Sequence, residues 1–338
     1  MASTTDVRAD LAALRAQLIV QGRRDGAMKD AMSVHARDAV RHTSHQALLQ
    51  LDPLRPVFDL VFDLLVIVAA VSGVVAWGLA WTPLALLLLG NRQRALGNLL
   101  HDAGHRNLCR HHLINDGLAH VLIAPLLFAD LEHYQTTHFR HHQWLGRPEA
   151  DPDFLVPPTT MPRHWAMRYR DCTFQRAAWW GSLWGHLAQP ELSGWARAHI
   201  VLWWTIVLAV MHALVGLNIT AHAVGLWLLA RASTFHLITT FREMCDHHGL
   251  RPGGVFSFTR DVVGHRLLRT LLHPRHNGYH LTHHLMPAVP YYRLPQAHEL
   301  LRQLPIFQDR AQVCDGYLRG SAPVVRAWQR GAPWDAAR

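Results

Sequence analysis

The chain has 338 residues, 50% of them hydrophobic and 17% charged. That is too apolar and too sparsely charged for an ordinary soluble domain of this size, so membrane segments are expected. The net charge of +9 comes with arginines scattered through loops beside apolar runs. This argues against nucleic acid as partner and for an anionic membrane surface. Histidine (27) and tryptophan (13) are both abundant; the first favours metals and the second bilayer interfaces.

Residues 1–56 read as a polar, Arg-bearing cytoplasmic arm with helical periodicity at Leu11, Leu14 and Leu18 and a break at Pro53 and Pro56. No apolar run followed by a cleavage site marks its start, so it is not a signal peptide. His35, His42 and His45 sit there in a polar context and read as surface residues. From Val57 to Leu100 the chain is almost continuously apolar, and about 20 residues cross a bilayer. Trp77 to Pro83 divides the run into a hairpin with spans near 57–77 and 82–100. The second arm passes Arg92 and Arg94 and ends in His-Asp-Ala-Gly-His, residues 101–105.

Residues 106–197 carry many arginines. Within them Leu118 to Phe128 is apolar but too short to span and is interrupted by Pro125, so it is expected to lie in the interface. A second histidine cluster follows, His138, His141 and His142, then Asp151 to Phe154 and a Trp-rich stretch (Trp165, Trp179, Trp180, Trp184, Trp195) suited to headgroups. A second hairpin is expected from spans near 198–217 and 221–240. The turns Gly78–Thr82 and Gly216–Thr220 hold no charge, and arginines lie on the other side, apart from Arg231 within the fourth span. The positive-inside rule then puts both termini and all histidine clusters in the cytoplasm. The fourth span ends in Phe241–Gly249, where Glu243 and His247 are i, i+4 neighbours that can face one metal pair. The stretch from His273 to Pro290 follows, and residues 302–338 read as a soluble tail. Cys109, Cys172, Cys245 and Cys314 form no CxxC pair and read as free thiols.

On a helix His276, His280 and His283/His284 share one stripe. With His101, His105, His138, His141 and His142, the three clusters hold eight closely spaced histidines, counting only His280, His283 and His284 of the last. One ion takes three or four protein ligands, so eight imply two ions. Imidazole suits zinc, iron, copper and nickel and excludes magnesium and calcium. Zinc predicts hydrolysis, and the glutamate base of an HExxH motif is absent, since residues 102–104 are Asp-Ala-Gly. No dinucleotide loop, haem attachment or iron–sulfur spacing is present, so electrons are expected from another protein.

These residues resemble the membrane fatty acid desaturase superfamily from about His101 to Leu301. The resemblance rests on HDAGH, on HFRHH followed by DPDF, and on HNGYHLTHHLMPAVPYYRLPQAHEL. It implies an all-α integral membrane fold of four transmembrane helices in two hairpins, with interfacial helices and a cytoplasmic histidine-rich cap. It also implies two iron ions, O2 as co-substrate and attack on unactivated C–H bonds. Carried over, His101, His105, His138, His141, His142, His280, His283 and His284 are iron ligands, and His247 matches an additional ligand from the end of the fourth span. Members often have asparagine four residues before that position. Here it is Glu243, which leaves either direct ligation by the carboxylate or a shift of the match to His248. His276 is a further ligand or supporting residue, and Asp102 and Asp151 can orient ligating imidazoles. His212 and His236 lie within spans as candidates for a substrate path.

The first functional reading is an O2-dependent desaturase of a lipid, acyl chain or related metabolite in a bacterial inner membrane, supplied by an external electron donor such as a ferredoxin. A hydroxylase or ketolase of carotenoids or small metabolites would use the same ligands. The third reading is a zinc transport or storage protein, which predicts polar residues facing each other in mid-membrane.

Overall fold

A computed structural model describes residues 46–154, 164–251 and 254–330. His35, His42, His45 and the periodic leucines of the N-terminal arm lie outside the described residues. The first long element is α1 (Leu54–Trp77). It buries a strip through Leu60, Ala70 and Val74 and turns Phe58, Phe62, Leu65 and Val68 outward. Gly78, at φ 73°, ends it, and α2 (Thr82–Gly104) runs back alongside. A side chain at Gly73 would strike the Trp81 indole, so the turn closes only around a small residue.

Helix α2 forms where the second span was expected, but it is the polar spine of the molecule rather than an apolar rod. Asn91, Arg92, Gln93, Asn98, His101 and Asp102 are all buried, and each amide finds a distant carbonyl. Asn91 Nδ2 donates to Leu271 O (2.8 Å), Gln93 Nε2 to Trp227 O (3.0 Å) and Asn98 Nδ2 to Pro274 O (2.6 Å).

Next come α3 (His112–Leu118), a π-helical turn (Ala119–Ile123) and a 3-10 turn (Pro125–Leu127). Phe128 reverses the path at φ 55°. Asp130 then caps α4 (Leu131–Trp144) by accepting from His133 N. Residues 112–127 and α4 are bent 86° against each other, so the segment expected to lie in the interface belongs to a sharply folded pair.

Two stretches are long and apolar enough to cross a membrane, α1 and the helical run from Gly194 to His247. The bent pair would make a third if it counts as one span. The long run consists of α5 (Gly194–Ala230), a π-helical turn (Arg231–Phe235) and α6 (His236–His247). Gly216 interrupts α5 with φ 79° and ψ 168°. Leu228 packs in one cluster with Ile200 and Trp204, contacts that a straight helix would hold far apart. The chain therefore doubles back at Gly216, where the sequence reading put its turn. Arg231, anomalous in an apolar span, is 2% exposed. It donates to Leu183 O (2.8 Å) and lies over the Phe128 and Phe235 rings.

The final histidine segment is anchored from both sides. Arg92 and Arg275 share Asp63 of α1 at 2.7 Å each, and Arg275 also pairs with Asp59, which takes the Tyr291 hydroxyl. Beyond, α7 (His280–Leu285) stands on Asp261, which accepts from Thr282 N (3.0 Å) and Thr282 Oγ1 (2.6 Å) and contacts His298 Nδ1 (2.7 Å). Asp261 belongs to β1 (Asp261–Val262), paired in parallel with β2 (Val313–Cys314). Residues 302–330 fold back onto this body. Tyr317, Val324 and Trp328 are buried against Phe241, Met244 and Cys245 of α6.

Candidate metal centre

Four helices deliver nine imidazoles to one place. The last turn of α2 carries His101 and its C-terminal cap is His105, α4 carries His138, His141 and His142, the end of α6 carries His247, and α7 carries His280, His283 and His284. They fall into two groups, His101, His105, His138, His142 and His283 in one and His141, His247, His280 and His284 in the other. Within each group the ring nitrogens lie within 4.8 Å of one another. The spacing explains the division. Residues four apart sit on nearly the same side of a helix, so His138 joins His142 and His280 joins His284. The middle histidine of each HxxHH is rotated away and joins the opposite group, as His141 and His283 do.

Contacts on the outward nitrogens aim the inward ones. His141 Nδ1 meets Asp151 Oδ1 at 2.7 Å, and His247 Nδ1 donates to Phe258 O at 2.8 Å. A proton held on Nδ1 leaves a lone pair on Nε2, the arrangement metal ligation needs. Inside the groups Nε2 faces Nε2, at 2.9 Å for His105 and His138, 3.0 Å for His142 and His138, and 3.1 Å for His283 and His142. The second group gives 2.9 Å for His280 and His247 and 3.1 Å for His284 and His280. Two nitrogens bound at right angles to one ion at about 2.1 Å would stand about 3.0 Å apart. His101 Nε2 is buried with no hydrogen-bond partner among the described residues, a costly position for a ring nitrogen unless an ion takes its lone pair. Burial holds His280, His283 and His284 well below the usual histidine range, and neighbouring rings add to this. Rings whose nitrogens converge in this way fit a pair of first-row transition metal ions.

Asp151, 5% exposed, also accepts from Gly146 N (2.8 Å) and Asp153 N (2.9 Å). Burial would raise its carboxyl, but these donors and His141 hold it below the ordinary carboxylate range. Asp102 stands 3.4 Å from His101 Nδ1 and accepts from Tyr291 N at 2.8 Å.

Residues 75–313 match the family model described as fatty acid desaturase. The chain belongs to the fatty acid desaturase family. Among its relatives is the dihydrorhizobitoxine desaturase of Bradyrhizobium elkanii, 30% identical over 68% of this chain and 70% of that protein. Another is the sn-1 oleoyl-lipid 12-desaturase of Arthrospira platensis, 24% identical over 57% of this chain and 60% of that protein.

Several residues singled out from the sequence of this desaturase-family protein stand apart from the rings. Glu243 lies one turn before His247, yet its carboxylate is in neither group. His248 is also outside them and packs edge-on to Trp328. His276 leaves the expected helical stripe. Arg275 and His276 both take left-handed backbone angles (φ 61° and 59°), and the helix starts only at His280. Arg275 must reverse there to reach Asp59 and Asp63, which carries His276 away from α7. Of the two histidines expected within spans, His236 is fixed between Ser182 Oγ and Thr173 O at 2.8 Å each. His212 is on the exposed surface of α5. Asp246 escaped the sequence reading. It is fully buried, 2.7 Å from Arg242 and 3.6 Å from both His280 Nδ1 and His273 Nε2. Its position three residues after Glu243 and one before His247 was the only local signal.

Proposed function

We propose that this protein is an O2-dependent di-iron membrane desaturase, with four spans that return the chain to a cytoplasmic face and electrons from a separate carrier. The convergence of nine imidazoles in two adjacent groups carries this reading. His101, His105, His138, His142 and His283 would hold one iron, and His141, His247, His280 and His284 the other. The bound irons would supply oxygen activation at a C–H bond. Balanced overall, two hydrogens leave the substrate as it becomes an alkene, and with two electrons and two protons from outside they reduce O2 to two waters. The protein's share is to keep the rings neutral and aimed. Asp151 and the Phe258 carbonyl hold protons on the outward nitrogens of His141 and His247, while Asp246 neutralises Arg242 beside His280. The third reading, zinc transport or storage, gains nothing from the fold, because the two groups form one compact centre rather than a path.

The two relatives are named for different substrates, and the residues just behind the rings favour the less hydrocarbon-like class. Arg94 lies seven residues before His101, Tyr134 four before His138 and Glu243 four before His247, roughly 6–10 Å along their helices. Arg94 Nη2 donates to Asn98 Oδ1 (2.7 Å), while its buried Nε has no hydrogen-bond partner among the described residues. Arg94, with Glu243, Asp246 and Tyr134 among its neighbours, makes this side of the centre polar rather than hydrocarbon-like, so we infer a substrate with a polar or charged group near the reacting carbon.

The test is iron analysis of the purified protein in lipid nanodiscs, followed by turnover with a reduced ferredoxin. Small polar metabolites and acyl lipids should be supplied separately. Two irons per chain and a product lighter by two hydrogens are expected. A product gaining oxygen would favour the hydroxylase reading, and a protein that takes up zinc but no iron would overturn both.

A further inference from the structure

A second set of metal-type ligands lies apart from the nine rings. His120, Asp130 and His199 come from three different elements, and one ligand atom from each lies within 4.8 Å of the others. His120 is in the π-helical turn, Asp130 is the cap of α4, and His199 is in the second turn of α5. The two imidazole rings are 6.2 Å apart at 70°. Neither ring has a hydrogen-bond partner among the described residues, and all three residues are half-buried.

The surroundings hold this arrangement in place. One turn along α5 from His199, Trp203 Nε1 donates to Val121 O (2.7 Å) and Trp204 Nε1 to Pro125 O (2.8 Å). These indoles fix the His120 turn against α5. Asp130 is held as well, with Oδ1 accepting from His133 N (2.9 Å) and its own N–H donating to His186 Nδ1 (3.1 Å). Its second carboxylate oxygen has no such role. Single π-helical turns inside helical segments are rare and gather at functional positions, and here the turn sets the angle at which His120 approaches α5.

We propose that His120, Asp130 and His199 form a third, mononuclear site for a divalent transition metal such as zinc, which ties the start of α4 to α5. Two imidazoles and one carboxylate suit zinc and its neighbours and exclude calcium and magnesium. Water completes the coordination on the exposed side. The site is structural: α4 begins at Asp130 and carries His138, His141 and His142 from its third turn onward, so an ion there fixes the helix that serves both histidine groups.

The experiment uses the full chain, loaded with iron, purified in nanodiscs and dialysed against buffered zinc. Iron and zinc per chain are measured together. The wild type should hold one zinc that His199→Ala and Asp130→Asn lack, with iron unchanged in all three. Asparagine caps a helix as well as aspartate does, so Asp130→Asn removes a ligand without removing the cap. Zinc affinity should fall at least tenfold in each variant, and zinc should raise the melting temperature of the wild type alone. Equal zinc content in wild type and variants would overturn the proposal. So would a fall in wild-type iron that matches the zinc taken up, which would mean that zinc had displaced iron from the nine-histidine centre.

Discussion

Replacing Asp151 by asparagine separates an orienting role from a merely space-filling one. The aspartate has two acceptor oxygens for three donors. Oδ1 meets His141 Nδ1 (2.7 Å) and Asp153 N (2.9 Å), and Oδ2 takes Gly146 N (2.8 Å). Asparagine has the same shape but one acceptor oxygen. If that oxygen serves His141 and Asp153, the amide NH2 confronts the Gly146 N–H; if it flips, His141 loses its partner. Either way a buried donor is stranded, at about 1–3 kcal/mol, and in the better case the bond to His141 weakens from charge-assisted to neutral, by about 1 kcal/mol more. The total of roughly 2–4 kcal/mol should divide between the fold and the grip on metal, where loss of an orienting partner typically costs about 10–100-fold in affinity. Competition against a graded series of iron chelators reads the affinity, and denaturant melts of the metal-free protein read the fold. If Asp151→Asn binds iron within about twofold of wild type and melts at the same point, Asp151 does not orient His141.

Other expectations follow from particular contacts. His141→Ala and His280→Ala should each abolish turnover and lower iron content while the protein still inserts into membranes, as checked by membrane fractionation and metal analysis. At Gly90 an added Cβ would lie 2.6 Å from Phe235 N, so Gly90→Ala should destabilise the protein by about 1–3 kcal/mol through overpacking, visible as a lower melting temperature. Burial holds His276 down to about 4 and His280, His283 and His284 well below the ordinary range. Below about pH 6.5 these residues take up protons in the unfolded chain but not in the folded one. Stability of the metal-free protein should therefore be fully present above that pH and fall as the pH drops toward 4, His276 alone contributing roughly 3 kcal/mol. A flat stability profile between pH 7 and 4.5 would contradict this.

The parts of this molecule that could be read from its sequence are those whose geometry is local. HxxHH spacing fixes which ring shares a helix side with which, and the structure gathers the eight histidines of the three clusters together with His247. Gly78 and Gly216 announce reversals because each interrupts an apolar run, and both reversals are present. Asp246, the Phe258 carbonyl and the Asp261–Thr282–His298 cluster were not readable, because their meaning depends on partners that no periodicity joins. His276 was misread for a related reason. Its spacing suited a helix, but Arg275 answers to two carboxylates more than 200 positions earlier, and that distant demand turns the backbone left-handed. The polarity of α2 was visible in Asn91, Arg92, Gln93 and Asn98. What could not be seen is that each would meet a partner inside the protein.

The clasp between Asp59, Asp63, Arg92, Arg275 and Tyr291 also bears on the order of assembly. It joins the first long helix synthesised to a segment made more than 200 residues later, a closure that no partly translated chain can perform. Until it forms, His280, His283 and His284 are held by Asp261 but not tied to the first helix, and each histidine group lacks at least one member in its final place. A ribosome-bound intermediate should therefore have little hold on iron, so that metal enters a finished polypeptide and redox chemistry is withheld during biogenesis.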